Sequence, residues 1–275
     1  MAGVLYIVAT PIGNLEDITL RALSVLKEAD LIAAEDTRQT KKLLARYEIA
    51  TPLTSYYDAV EGEKAAQLVK QLESGKNIAL VSDAGTPTVS DPGFRLIQAA
   101  IVAGISVVPV PGASALLAVL SASGLPTDRF VFEGFLPAKR RERREKLQTL
   151  AAETRTLIFY EAPHRIKEAL SDMLEVFGDR EAVLGREVTK VHEEFMRGRL
   201  SETLAALEIK EPRGEITLVV GGFAGEKRPA ETTLKSEIDA LLKKGLRVKE
   251  IAEILGEKFA YPKKDIYRMT LERRK

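Results

Sequence analysis

The sequence predicts an α/β protein: two α/β domains, the first with a parallel sheet and the second with a mixed sheet, and then a small helical extension. Three observations predict this fold. Strands that are apolar throughout alternate with helices in the first part, strands of more mixed polarity follow, and the chain ends in a basic segment with helical periodicity. Fully apolar strands are typical of parallel sheets that helices cover on both faces. We place the domains at residues 1–115, 116–225 and 226–275.

The first domain contains five short apolar runs that predict strands. Between them, apolar residues recur at intervals of three and four, which predicts helices. The predicted strands span residues 4–9, 31–34, 53–56, 78–81 and 105–110. The predicted helices span residues 19–29, 37–47, 63–72 and 93–103, and a further helix at 114–123 follows this domain.

The second domain and the extension differ from the first domain in pattern and charge. Strands are predicted at residues 130–135, 156–160, 182–187, 194–199 and 215–220, and helices at 143–151, 166–177 and 202–207. Three further helices are predicted at residues 234–243, 248–255 and 263–271. A turn at Gly256 would make these three resemble a helix-turn-helix. Residues 227–275 hold fourteen basic and eight acidic side chains, a net charge of +6 in a chain whose total is +1.

The composition excludes several classes of site. The chain has no cysteine and only two histidines, so it lacks disulfides, thiolate metal sites and histidine-rich metal clusters. We predict no metal site, although carboxylates alone would suffice for Mg²⁺. The apolar run near the N-terminus lacks a basic leader, and no stretch approaches the roughly 20 apolar residues of a membrane span. We expect a cytoplasmic protein with no membrane segment.

Three loops rich in small and turn-forming residues follow apolar strands of the first domain, at residues 10–15, 82–87 and 111–115. Ligands of open α/β sheets bind beyond the carboxyl ends of the strands, so these loops predict a ligand cleft, with plain connections as the alternative. None of them is a phosphate-binding glycine motif of the nucleotide hydrolases or dinucleotide enzymes. Asp83 is the most informative residue, because a carboxylate just past a fully apolar strand needs a partner. It either caps its own turn or faces a polar or cationic ligand.

Polar clusters also follow two strands of the second domain. Glu161, His164 and Arg165 lie within five residues, and they either cap a turn or serve a site. Glu187 and Lys190 form a similar cluster, in which alternation would place Glu187 and Thr189 on one face.

A dense basic run spans residues 139–146, with six cations and two acids. It is either a solvated helix face with internal ion pairs or a contact for the phosphate backbone of a nucleic acid.

Five motifs resemble those of the tetrapyrrole methylase superfamily, in its branch that methylates ribosomal RNA. They are ATPIGNL at 9–15, AEDTR at 34–38, SDAGTPTVSDPG at 82–93, PGASA at 111–115 and YEAPHR at 160–165. The resemblance covers about residues 3–222 and is looser in the extension. Small-molecule members of the superfamily usually carry a Gly-Asp-Pro loop where this chain has residues 83–87, Asp-Ala-Gly-Thr-Pro. This difference favours the RNA branch.

The resemblance implies S-adenosylmethionine-dependent 2′-O-methylation of a cytidine in the decoding region of 16S rRNA in the small ribosomal subunit. It also implies a cofactor between the two α/β domains, and a homodimer. The implied cofactor contacts are Thr10, Pro11, Asp83, Gly85, Thr86, Ser114, Ala115, Tyr160, Glu215, Ile216 and Thr217. The predicted RNA contacts are Lys139, Arg140, Arg141, Arg143, Arg144 and Arg165.

A ribose hydroxyl is a poor nucleophile until its proton is leaving, so a general base within hydrogen-bond reach would help. The predicted catalytic residues are Glu161, Glu187 and Lys190, with His164 a further candidate base. Two other functions remain open: a small-molecule C-methyltransferase of the tetrapyrrole type, and a ribosome-binding factor without catalysis. The basic run and the basic extension argue against the first, because a small substrate needs neither.

Overall fold

A computed structural model describes residues 1–57, 61–209, 212–225, 231–259 and 261–273. The chain divides into two compact units. The larger, which we call the body, comprises Met1–Leu150 and Arg155–Gly221. The smaller, which we call the helical unit, comprises Ala151–Thr154 and Gly222–Lys275. The predicted boundaries at residues 115 and 225 stay predictions.

The first sheet of the body has five strands in the order β3-β2-β4-β1-β5, and every neighbouring pair is parallel. This confirms the parallel sheet that the apolar runs predict. The strands are β1 (Val4–Val8), β2 (Leu31–Ala34), β3 (Leu53–Ser55), β4 (Ile78–Val81) and β5 (Ser106–Val110). The helices are α1 (Leu20–Glu28), α2 (Thr37–Arg46), α3 (Glu61–Glu73), α4 (Phe94–Val102) and α5 (Ala115–Ser123).

Alternate residues of the central strand β4 enter different cores. Ile78 and Leu80 pack with residues of α3 and α4, whereas Ala79 and Val81 pack with residues of α1 and α2. All four side chains are buried. A strand that must fill two cores has no place for a polar face, which is why its sequence is apolar throughout.

The second sheet has the order β6-β7-β10-β8-β9. Only β6 and β7 are parallel, and the other neighbours are antiparallel, which confirms the predicted mixed sheet. Its strands are β6 (Phe130–Phe135), β7 (Thr156–Glu161), β8 (Glu181–Arg186), β9 (Glu194–Arg199) and β10 (Ile216–Val220). Its helices are α6 (Arg140–Leu150), α7 (Ile166–Phe177) and α8 (Leu200–Ile209). Helix α5 packs on this second sheet through Leu116, Val119 and Leu120.

The helical unit contains α9 (Glu231–Lys243), α10 (Val248–Lys258) and α11 (Lys263–Arg273) around its own apolar core. The predicted turn at Gly256 is wrong, because α10 continues to Lys258. A side chain at Gly256 would approach Lys263 Cγ to 2.8 Å and the Tyr261 carbonyl oxygen to 3.4 Å. The glycine therefore permits close packing instead of ending the helix, and a glycine inside a helix costs only about 1 kcal/mol relative to alanine.

Within the described part of the chain, no helix has the length and hydrophobicity that a bilayer crossing requires.

Candidate active site

Two of the three predicted ligand loops are joined at the carboxyl edge of the first sheet. Thr10 and Gly85 exchange two backbone hydrogen bonds, from Thr10 N to Gly85 O at 2.8 Å and from Gly85 N to Thr10 O at 3.0 Å. The Thr10 hydroxyl also donates to the Ser82 carbonyl oxygen at 3.1 Å. Gly85 has a φ of +84°, a left-handed conformation that favours glycine. These hydrogen bonds therefore hold the two loops together.

A cavity of about 340 Å³ lies where these loops meet the ends of β7 and β10, and we call it the first cavity. Its size is in the range of small-ligand sites. Its walls come from both sheets and are lined by Ile12, Ala84, Gly85, Thr86, Val89, Ser90, Asp91, Ser114, Ala115, Phe135, Tyr160, Glu161, Ala162, Pro163, Gly214, Glu215, Ile216 and Thr217.

Tyr160 connects the second sheet to the start of α5. Its hydroxyl oxygen accepts a hydrogen bond from Leu116 N at 3.3 Å. Its ring packs against Phe132 and Phe135 with centroids 4.9 and 5.7 Å away. Burial raises the pKa of Tyr160, so the phenol is neutral at physiological pH. Tyr160 thus forms a fixed, uncharged wall of the first cavity.

Glu161 is the last residue of β7 and is 3% exposed. Its carboxylate accepts a hydrogen bond from Ala162 N at 2.9 Å and lies 3.2 Å from Arg165 Nε. Burial raises the pKa of Glu161, and these two partners oppose the shift. Arg165 also donates to the Leu136 carbonyl oxygen, so its guanidinium is fixed between Glu161 and Leu136.

Asp83 is anchored to the connection between β2 and α2 rather than to its own turn. Its Oδ1 accepts a hydrogen bond from Asp36 N at 2.9 Å, and Asp83 N donates to Glu35 Oε2 at 3.3 Å. Burial raises the pKa of Asp83. By contrast, hydrogen bonds from Arg38 lower the pKa of Asp36 to about 2. The sequence predicted a partner for Asp83, but it could not show that the segment between β2 and α2 supplies it.

Asp83 belongs to a second cavity, also of about 340 Å³. The second cavity is lined by Thr10, Pro11, Ile12, Gly13, Leu15, Gln39, Thr40, Lys42, Leu43, Ser82, Asp83, Ala84, Lys190 and Glu215. Ile12, Ala84 and Glu215 line both cavities.

The predicted cofactor residues therefore divide between two adjoining spaces. Thr10, Pro11 and Asp83 line the second cavity, and Glu215 lines both. The remaining ones line the first cavity: Gly85, Thr86, Ser114, Ala115, Tyr160, Ile216 and Thr217. Sequence reasoning missed Gln39 and Lys42 of α2, because only the packing of α2 beside β4 brings that helix to the site.

Lys190 is held by two carboxylates. Its Nζ lies 2.9 Å from Glu187 Oε1 and 3.1 Å from Glu215 Oε2. Burial acts to lower the pKa of Lys190, but these ion pairs outweigh it and raise that pKa. The hydrogen bond from Lys190 in turn lowers the pKa of Glu187. At neutral pH both groups are charged.

The turn that carries this ion pair is strained. Glu187 and Thr189 have φ values of +50° and +68°, which non-glycine residues rarely adopt. The alternation predicted for Glu187 and Thr189 is wrong, because β8 ends at Arg186. Asn14 N donates to Thr189 Oγ1 at 3.1 Å, and a side chain at Gly13 would overlap Lys190 Cγ. The first β–α loop therefore packs directly on this turn.

The basic run is largely neutralised by acids of its own protein. Helix α6 begins at Arg140, three residues before the predicted start. Arg143 is buried against Asp172 of α7, Arg140 contacts Asp172 at 2.9 Å, and Arg144 contacts Glu175. Lys139 and Arg141 are paired at their exposed surfaces with Glu142 and Glu145. RNA contacts by this run stay predictions, and the burial of Arg143 argues against that residue.

A parallel sheet and a mixed sheet that meet at a lined cavity are the fold of solved tetrapyrrole methyltransferases. The fold matches that of uroporphyrin-III C-methyltransferase from Thermus thermophilus, solved in complex with S-adenyl homocysteine. The TM-score is 0.56 at 24% identity, over 80% of this chain and 97% of that one.

The chain belongs to the family of tetrapyrrole (corrin/porphyrin) methylases, whose model matches residues 4–204. It is similar to proteins named ribosomal RNA small subunit methyltransferase I. The protein of that name from Synechocystis is 49% identical over 98% of both chains. The one from Bacillus subtilis is 46% identical over 96% of this chain and 93% of its own.

Proposed function

We propose that this protein is an S-adenosylmethionine-dependent methyltransferase that acts on 16S rRNA of the small ribosomal subunit, at the 2′-hydroxyl of a cytidine in the decoding region. The observation that carries the proposal is the first cavity. Loops of both sheets wall it, in a chain whose near full-length relatives bear the name of a small-subunit rRNA methyltransferase. The finer assignment of base and atom follows from the motif resemblance.

The first cavity suits the methyl donor in size and lining. The surface of its walls is mostly apolar, as in sites for small-molecule ligands, and the polar groups come from Thr86, Ser90, Asp91, Ser114, Tyr160, Glu161, Glu215 and Thr217. Gly85 and Ala115 have little or no side chain, so backbone can approach a ligand closely there. S-adenosylmethionine supplies a methyl group that its sulfonium already activates. The protein must then hold the accepting oxygen in line with that methyl group.

Glu161, Glu187 and Lys190 are the catalytic residues that the sequence predicts. Of these, Glu161 lines the first cavity, and burial raises its pKa toward the range of a general base. Glu187 and Lys190 are paired with each other at the edge of the second cavity. We therefore assign proton removal to Glu161 and positioning to the Glu187–Lys190 pair.

We also propose that exposed cations of the basic run contact rRNA.

We further propose that the protein is a cytoplasmic homodimer. Leu117 and Phe130 are exposed apolar residues that line one shallow depression, and such surfaces mark protein interfaces. Sedimentation equilibrium of wild type and Leu117→Glu tests the dimer: we expect the variant to shift toward monomer, and a monomeric wild type contradicts the proposal.

Methyl transfer to small subunits tests the main proposal. Subunits purified from cells that lack this enzyme should accept radiolabel from S-adenosylmethionine, and ribose-methylation mapping should place it on one cytidine. Subunits from wild-type cells are the control and should accept little. Label on a porphyrinogen instead would favour the small-molecule C-methyltransferase. If calorimetry detects no binding of S-adenosylmethionine, the result would favour a ribosome-binding factor without catalysis.

A further inference from the structure

The second cavity lies next to the proposed cofactor site. It adjoins the first cavity through Ile12, Ala84 and Glu215, and it opens beside α2 of the first sheet. We infer that the second cavity is the acceptor site and takes a single nucleotide of the RNA strand, with Gln39 and Lys42 of α2 as its contacts. The inference rests on the proposed methyl transfer to RNA.

The position of the second cavity satisfies the first requirement of an acceptor site. Methyl transfer needs the accepting oxygen within contact distance of the methyl carbon, so the acceptor space must share a wall with the donor space. The three shared residues form that wall. Lys190 also lines the second cavity, and its ion pair with Glu215 at 3.1 Å places it beside this shared wall.

The size of the second cavity limits what can enter. A volume of about 340 Å³ lies near the lower end of small-ligand sites, about 300–1,000 Å³. One nucleotide fits that range, whereas a duplex does not. The target nucleotide must therefore leave its stack before it is modified, as bases do in other enzymes that act on them.

The side chains of the second cavity match the parts of a nucleotide. Gln39 and Lys42 lie three residues apart on α2 and so share one face, and Lys42 Nζ donates to Gln39 Oε1 at 2.8 Å. A lysine ammonium binds a phosphate, and an amide can bind the hydrogen-bonding edge of a base. Both side chains are exposed at the rim and accessible to a strand that arrives from solvent.

The charge of the cavity favours a nucleotide over a tetrapyrrole. Two lysines, Lys42 and Lys190, face two carboxylates, Asp83 and Glu215. Lys190 is already paired with Glu187 and Glu215, so Lys42 at the rim is the lining cation that remains for one phosphate. A tetrapyrrole that carries several carboxylates would need an excess of cations. The inference also changes the role of Thr10, Pro11 and Asp83, which the motif resemblance assigned to the cofactor and which line the acceptor side.

Kinetics of Lys42→Ala, Gln39→Ala and the double variant test the inference, with Lys41→Ala as the matched control. Lys41 is the exposed neighbour of Lys42 on α2 and is absent from the cavity lining. For each protein, calorimetry gives the Kd of S-adenosylmethionine, and initial rates on small subunits give KM and kcat.

We expect KM for small subunits to rise about tenfold in Lys42→Ala and further in the double variant, since a hydrogen bond to a charged group is worth about 1.5–3 kcal/mol. The Kd of S-adenosylmethionine should stay within about twofold of wild type, and Lys42→Arg should restore KM. An unchanged KM, or a parallel rise in the cofactor Kd, would overturn the inference. Failure of the proposed function itself has a different signature, namely a wild-type protein that neither binds the cofactor nor transfers methyl groups.

Discussion

Arg143 of α6 and Asp172 of α7 form an ion pair that is buried on both sides. The Arg143 Nε lies 2.8 Å from Asp172 Oδ2, and each side chain is 1% exposed. Arg143 also donates to the Ala138 carbonyl oxygen and contacts Glu168 at 3.2 Å. Asp172 is also paired with Arg140 at 2.9 Å, so loss of Arg143 removes one buried hydrogen bond to a charged group and leaves the other in place.

Arg143→Ala should lower the free energy of unfolding by about 1.5–3 kcal/mol, because Asp172 loses one of its hydrogen-bonding guanidinium partners and keeps the other, Arg140 at 2.9 Å. Urea denaturation of the full chain at pH 7 measures this loss. Arg141→Ala is the matched control on the same helix, since Arg141 is exposed and forms its ion pair with the exposed helical neighbour Glu145 at 2.9 Å. A loss in Arg143→Ala no larger than in the control would contradict the structural role.

The same pair predicts a dependence of stability on pH. Burial raises the pKa of Asp172, but hydrogen bonds from Arg140 and Arg143 outweigh it and hold that pKa below its ordinary value of about 3.9. A carboxyl group with a lowered folded-state pKa stabilises the fold above its unfolded pKa and loses that contribution as pH falls through the folded pKa. The stability gap between wild type and Asp172→Asn should therefore be full at pH 7 and shrink as pH falls below about 4. A gap that is constant down to pH 3 would contradict this.

Gly13→Ala should separate the first β–α loop from the strained turn at Glu187–Lys190. The added methyl group would overlap Lys190 Cγ and lie 2.9 Å from Thr189 Oγ1 and 3.1 Å from the Val188 carbonyl oxygen. We expect kcat on small subunits to fall at least tenfold, because about an ångström of misplacement can cost catalysis heavily.

Gly62→Ala serves as the control for this substitution. Gly62 lies in helix α3, where a methyl group would meet only Arg95 Nη1 at 3.4 Å. There alanine should leave kcat unchanged, because the site is far from the turn in sequence and the methyl group meets no backbone atom among the described residues. Equal activity of the two variants would show that the turn plays no part in catalysis.

The dependence of kcat on pH identifies the general base. If Glu161 removes the proton, activity falls at acidic pH with a midpoint above the ordinary glutamate pKa of about 4.3, because burial raises the pKa of Glu161. Glu161→Gln should then lower kcat by about 10²–10⁴ and remove this acidic limb. A midpoint below that ordinary value, lost in Glu187→Gln instead, would assign the role to Glu187, whose pKa the Lys190 hydrogen bond lowers.

Much of the fold could be predicted from local pattern. The strands at Leu31–Ala34, Ile78–Val81, Phe130–Phe135 and Glu194–Arg199 have the bounds that the sequence predicts. Each is a short run bounded by turn or charged residues, and β4 is apolar throughout because it faces two cores. The error at Gly256 has the opposite cause: a local turn signal was outweighed by packing between α10 and α11.

The candidate site could be predicted only as a set of loops. Residues 10–15, 82–87 and 111–115 each follow a strand of a parallel sheet, and such strands present their carboxyl ends at one edge. Their composition could not show that Asp83 and Gly85, two residues apart, line different cavities. Nor could it show that Asp172, 29 residues after Arg143, would bury that cation.

By itself, the sequence determined the two kinds of sheet, the ligand loops and the methylase motifs, because each depends on residues close together in the chain. Only the tertiary structure decided which side chains share a space. Helix α2 brings Lys42 to the second cavity, β10 brings Glu215 to Lys190, and α7 removes Arg143 from solvent. These relationships join residues far apart in sequence, and long-range packing, which local pattern does not encode, sets the burial and charge that each residue meets.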